Sequence, residues 1–189
     1  MIRLAAEAFL SLRSLYKALT FKKDWQAGLD VSSRGLWHSF AAALICLPFF
    51  LLILAGGSRI GLTEQVAPFW WHFLLSWPLF MIIAGLITRL LGATERFTPW
   101  VVMHNWGVVW LYGILAVMWS LQISGLIDVT TLGVLLVFVY DYVRLLVHWR
   151  IAYLALGTPT ITSALIAAVP ILVSEIMGVG LIRIYGVGG

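Results

Sequence analysis

The sequence predicts an all-α, polytopic membrane bundle in which five transmembrane helices follow an amphipathic interfacial helix. Three observations carry this reading. Apolar stretches at about residues 36–56, 69–91, 100–124, 130–156 and 160–182 fill most of the 189-residue chain. At about 1.5 Å of rise per residue, about 20 apolar residues cross a hydrocarbon core of about 30 Å, so each stretch is long enough. Hydrophobic residues make up 62% of the chain and charged residues 11%, with a mean hydropathy of +1.00, which no water-soluble core absorbs.

Residues 3–19 form the first element. Leu4, Ala5, Ala8, Phe9, Leu12, Leu15, Tyr16 and Leu19 share one helical face, while Arg3, Glu7, Arg13, Ser14 and Lys17 take the other. Such a helix lies in the membrane interface with its bases near phosphates, or packs on the protein's own surface. Phe21 to Gly35 reads as a polar linker in which Asp30, Ser32 and Ser33 are N-cap candidates. Residues 1–34 therefore form a cytoplasmic helix and linker, and residues 35–189 the five-helix domain.

Pro48 falls within the first span and predicts a kink. Gly56, Gly57 and Gly61 are expected to end that span and Pro68 to open the next. Pro78 lies in the second span and Pro170 in the fifth. Gly92 to Pro99, Gly125 to Val129 and Gly157 to Pro159 supply the other connections. None is long enough for an independent domain.

Arg3, Arg13, Lys17, Lys22, Lys23 and Arg34 precede the first span as a cluster suited to anionic lipid headgroups. No groove-reading motif accompanies them, so nucleic acid is not an expected partner. The second and fourth loops add Arg89, Arg96, Arg150 and nearby Arg144, while the first and third are poor in bases. The positive-inside rule then places the N-terminus in the cytoplasm and the C-terminus outside, in a bacterial inner membrane. Trp37, Trp106 and Trp149 read as anchors of the inner interface, with Trp25 and Trp100, and Trp70 and Trp71 as anchors of the outer one, with Trp119. Acidic Glu7 and the bases Arg13 and Lys17 interrupt any secretory signal pattern. Cys46 is the single cysteine and allows no internal disulfide.

Ionisable residues inside apolar spans are the candidates for chemistry. Asp141, Arg144 and His148 stand at i, i+3 and i+7 of the fourth span, so they are expected to share a protein-facing stripe, with Asp141 neutralising Arg144. Glu175, beside Ser174, is expected to point into the bundle past Ala164, Ala168 and Gly178. All four histidines lie at or next to a tryptophan, and His38, His104 and His148 could converge on haem or a pigment. No metal site and no resident cofactor is expected. Nucleophile elbows, phosphate-binding glycine loops, metalloprotease helices and paired cysteines do not occur, so an enzyme is not expected.

The run Leu36-Trp37-His38-Ser39-Phe40-Ala41-Ala42-Ala43 leading to Pro48, the pair Asn105-Trp106, and Arg150-Ile151-Ala152-Tyr153-Leu154-Ala155-Leu156 resemble small bacterial five-span proteins of the Yip1-like kind. The resemblance implies five helices, a cytoplasmic N-terminus and an external C-terminus. It implies no catalytic residue. The Asp-Leu-Tyr-Gly-Pro signature of the eukaryotic trafficking members does not occur here.

Three functional readings follow. The first is a non-catalytic accessory or scaffold subunit that binds other membrane proteins or lipids. The second is a small proton, ion or solute transporter that uses Asp141, Arg144, His148 and Glu175. The third is a haem- or pigment-binding subunit using His38, His104 and His148.

Overall fold

The computed structural model describes residues 2–62 and 66–186, with the side chains of residues 2–4 and 186 outside that description. The described residues form helices and turns with no strand, and five of the helices are long and apolar enough to cross a membrane. In chain order these are Ser33–Arg59, Val66–Leu90, Thr94–Ile123, Val129–Leu156 and Thr160–Tyr185.

Helix α1 (Ile2–Leu19) does not present the apolar face expected of it. Ala8, Ser11, Ser14, Leu15 and Ala18 are buried, whereas Phe9, Leu10 and Tyr16 are exposed. Helix–helix contact favours small side chains at Ala8, Ser11 and Ala18, so the packed face is rotated towards the serines. Its Glu7 carboxylate accepts from His38 Nδ1 at 2.8 Å. The Leu12 carbonyl accepts from the Trp110 indole at 3.3 Å, and the Ala18 carbonyl from Arg150 Nε at 3.0 Å. The N-terminal segment is thus fastened to the bundle.

Of the basic cluster, Arg13, Lys22, Lys23 and Arg34 are exposed, Lys17 pairs with Asp24, and the Arg3 side chain lies outside the described residues. The hydrogen bond from Lys17 holds the Asp24 carboxyl below its ordinary value. That pair closes a turn in which a 3-10 segment, Trp25–Gly28, folds back on α1. Gly28 is needed there, because a Cβ would meet the Ser14 hydroxyl and the Leu10 carbonyl.

Ser32 is the N-cap of α2 (Ser33–Ser39), its hydroxyl accepting from Gly35 N at 3.2 Å. Phe40 separates α2 from α3 (Ala41–Arg59). The break in the first span therefore falls at Phe40, where the Phe40 N–H tightens to the Trp37 carbonyl, while α3 runs unbroken through Pro48. Gly56 and Gly57 lie inside α3 rather than ending it. Gly56 lets Trp119 approach the backbone, since an added Cβ would overlap the indole ring. The turn is made instead by Gly61, whose φ of +87° suits glycine.

Helix α4 is Val66–Leu90 and α5 is Phe97–Ile123, joined through a 3-10 turn, Thr94–Arg96. Helix α6 (Val129–Val134) is capped by Asp128, which accepts from Thr131 N at 2.6 Å, a bond that lowers its pKa. A π-helical turn, Leu135–Tyr140, continues into α7 (Asp141–Leu156), and α8 is Thr160–Gly186.

Helix α5 is the central helix and touches α1, α2, α3, α4 and α7. In its most apolar stretch 56% of residues are buried, against 6% in the fourth span. Burial corrects three anchor assignments: Trp106 is 2% exposed and belongs to the core, as do Trp100 and Trp119. Trp37 and Trp71 are exposed, Trp70 packs edge-on against Phe50, and the Trp149 indole donates to the Thr160 carbonyl at 3.2 Å. Asn105, also on α5, donates to the buried Ser39 hydroxyl at 2.8 Å.

Candidate functional site

Polar side chains from four of the five long helices, two of them in rows of four-residue spacing, line one cavity of about 290 Å³. A step of four residues advances about 40° round a helix, so such a row stays on one face while drifting slowly. Tyr140, Arg144 and His148 form this row on the fourth span, and His72 and Ser76 form it on α4. His104 and Tyr112 lie two such steps apart on α5, and Ser174 comes from α8. The remaining wall is apolar and largely aromatic, with Phe50, Phe69, Trp77, Phe80 and Trp119.

The row that begins at Tyr140 displaces the one expected from Asp141. Tyr140 occupies the inward position, and Asp141, about 100° further round, is exposed. Arg144 is consequently not paired with Asp141. Its partner is the Glu175 carboxylate on α8. Glu175 does not point into the bundle either: its side chain is 60% exposed, against 15% for Arg144, so it meets the arginine from the rim.

The histidines also differ from expectation. His38 is held by Glu7 and is not part of the cavity wall, whereas His72 is. His104 lies flat on Phe80, and the His104 and His148 rings meet edge to face with centroids 5.1 Å apart. Among the described residues no three His, Cys, Asp or Glu side chains group as metal ligands. Of the three histidines named together from the sequence, His104 and His148 adjoin each other, while His38 stands apart on Glu7.

Hydrogen bonding assigns the tautomers. A carbonyl only accepts, so His148 donates from Nδ1 to the Arg144 carbonyl at 2.8 Å, and the neutral ring keeps a lone pair on Nε2. His72 donates from Nε2 to Ser174, with the carbonyl at 3.2 Å and the hydroxyl at 3.0 Å. This contact separates the cavity from an outer groove of about 250 Å³ that is lined by Pro68, Glu175 and Gly178 and shares Phe69, His72 and Ser174 with it. Gly178 lies beside the His72 ring, where an added Cβ would make ordinary van der Waals contact with it.

Three donors remain unpaired. The buried Trp77 indole N–H has no partner, and the Tyr112 and Tyr140 hydroxyls make no hydrogen bond among the described residues. Arg144 and His148 were legible as site residues, whereas His72, Ser76, Trp77, Tyr112, Tyr140 and Ser174 were missed. The four-residue rows in otherwise apolar helices were the available signal. No protein-family profile matches the chain, and neither a curated protein nor a solved structure is significantly similar to it.

Proposed function

We propose that the protein is an integral membrane protein that binds a small molecule non-covalently among its helices, as a carrier or as a ligand-bearing accessory subunit. The observation that carries this reading is the aromatic cavity whose wall includes polar residues from four helices. Membrane binding sites have this character, mostly apolar with a few convergent polar groups. The exposed bases Arg13, Lys22, Lys23 and Arg34 support a cytoplasmic N-terminus against anionic lipid, and an odd number of spans is consistent with a periplasmic C-terminus in a bacterial inner membrane. The Yip1-like layout agrees with that topology.

Native mass spectrometry of the protein released from lipid nanodiscs tests the proposal. The wild-type chain is expected to carry a small non-phospholipid mass. Val108→Phe, which fills the cavity from α5, is expected to lose that mass while unfolding at a similar temperature. Retention of the same mass by the filled variant sinks the reading.

A second reading, the scaffold, is favoured by Asp141. This acid stands exposed within the sparsely packed fourth span, where a lone carboxyl in hydrocarbon is costly without a companion. A partner helix with a basic or amide side chain at that depth would supply one. Asp141→Leu is then expected to abolish co-purification of a specific membrane partner in mild detergent, and an unchanged partner set counts against it.

A further inference from the structure

We infer that the ligand of the cavity is a membrane quinone, a neutral flat ring with carbonyl oxygens on opposite edges. This rests on reading the cavity as a binding site and adds the chemistry of its occupant.

Charge narrows the choice first. Among the described residues Arg144 is the only permanently charged side chain on the wall, and Glu175 already pairs with it. An anionic headgroup would have to displace Glu175, and a cation would meet no free acid, so the cavity favours a neutral molecule.

The open hydrogen-bonding groups narrow it further. Tyr112 and Tyr140 bring two hydroxyls to the wall, each able to donate to an acceptor oxygen as well as to accept. The Trp77 N–H is also without a partner, but its nitrogen is closed to contact from the open space, so a ligand does not meet it. A buried donor left unmet costs about 1–3 kcal/mol, so the two hydroxyls suit a ligand with acceptor oxygens. His148 supplies the converse at its Nε2 lone pair, which can accept the hydroxyl of the reduced quinol. A site with these groups holds either redox form without changing it.

Shape agrees. Phe50, Phe80 and Trp119 offer faces and edges to a planar ring. The volume of about 290 Å³ suits a headgroup and not a long tail, so an isoprenoid chain would leave between helices into acyl chains. A sugar would need many more paired donors and acceptors than this wall provides.

The test uses the full chain in phosphatidylethanolamine/phosphatidylglycerol nanodiscs, a photoreactive azidoquinone, and peptide mass mapping of the cross-link. Labelling is expected on α4 and α5, with displacement by ubiquinone-1 and not by the dimethyl ether of its quinol, which lacks carbonyls. Tyr112→Phe and Tyr140→Phe keep the ring and remove only the hydroxyl, and each is expected to weaken ubiquinone-1 binding about fivefold. Unchanged affinity in those variants, or equal displacement by the ether, overturns the quinone assignment while leaving the binding cavity standing. Absence of any label in the cavity, together with no small mass on the wild-type protein, overturns both.

Discussion

Arg144 and Glu175 pair across the α7–α8 hairpin, thirty-one residues apart in sequence, and so fix the guanidinium beside the cavity. Glu175→Leu is expected to leave the guanidinium uncompensated, at a cost of about 3 kcal/mol for a lone arginine deep in a bilayer. The double variant Arg144→Met/Glu175→Leu should recover most of that loss, because removing both members of an ion pair leaves nothing unpaired. Thermal unfolding in nanodiscs checks the order. Equal losses in single and double variants would mean that the pair contributes packing alone.

Gly56 and Trp119 form a second pairing of backbone and ring. Gly56→Ala places a methyl group against the indole and is expected to destabilise the protein by about 1–3 kcal/mol through overpacking. Because Trp119 also lines the cavity, ligand affinity should fall along with stability. Adding Trp119→Leu to Gly56→Ala should restore stability without restoring binding, measured on the same nanodisc samples.

Ser39 and Asn105 are both buried, and their hydrogen bond ties the break in the first span to the central helix. Ser39→Ala strands the Asn105 amide, and a loss of about 1 kcal/mol is expected, in the range measured for polar contacts between membrane helices. If Asn105→Leu/Ser39→Ala is no more stable than Ser39→Ala alone, the stranded amide is not the cause.

An acid-sensitive element sits at the entrance to the first span. Hydrogen bonds from Ser32, its side chain first and its backbone N–H at 2.9 Å second, hold the Asp30 carboxyl below its ordinary value of 3.8. A depressed folded value gives stabilisation that is fully present above the unfolded value and is lost as pH falls through the folded one. Wild type should therefore exceed Asp30→Asn in unfolding temperature at pH 6, with the difference shrinking as pH falls below the ordinary value of 3.8. A difference that stays constant down to pH 3 removes Asp30 as its source.

The long helices were legible because hydropathy and length report on them directly. Their partners were not. Sequence periodicity placed Asp141 with Arg144 and His148, since i, i+3 and i+7 lie within one stripe, yet the inward row runs through Tyr140 in steps of four. Periodicity measures angle and says nothing of which neighbour stands opposite, and here α8 brings Glu175. Trp106 was misread for a related reason. In a chain that is apolar on every face, composition cannot separate a central helix from a peripheral one, so a core tryptophan looks like an interfacial anchor. The face of α1 was misassigned because its close-packed side uses serines and alanines, which hydropathy scores as indifferent.

The clasp on α1 has a consequence for how the chain is made. Arg150 lies 132 residues after Ala18, whose carbonyl it binds, and its guanidinium also covers the Phe21 ring at 4.3 Å. During synthesis His38 and Trp110 emerge early enough to begin seating α1, but the Arg150 contact forms only once the fourth span has been laid down. A nascent chain halted near residue 130 should therefore leave α1 more open to protease than one released after the fourth span. Docking of the N-terminus is thus completed late in biogenesis, when most of the bundle behind it already exists.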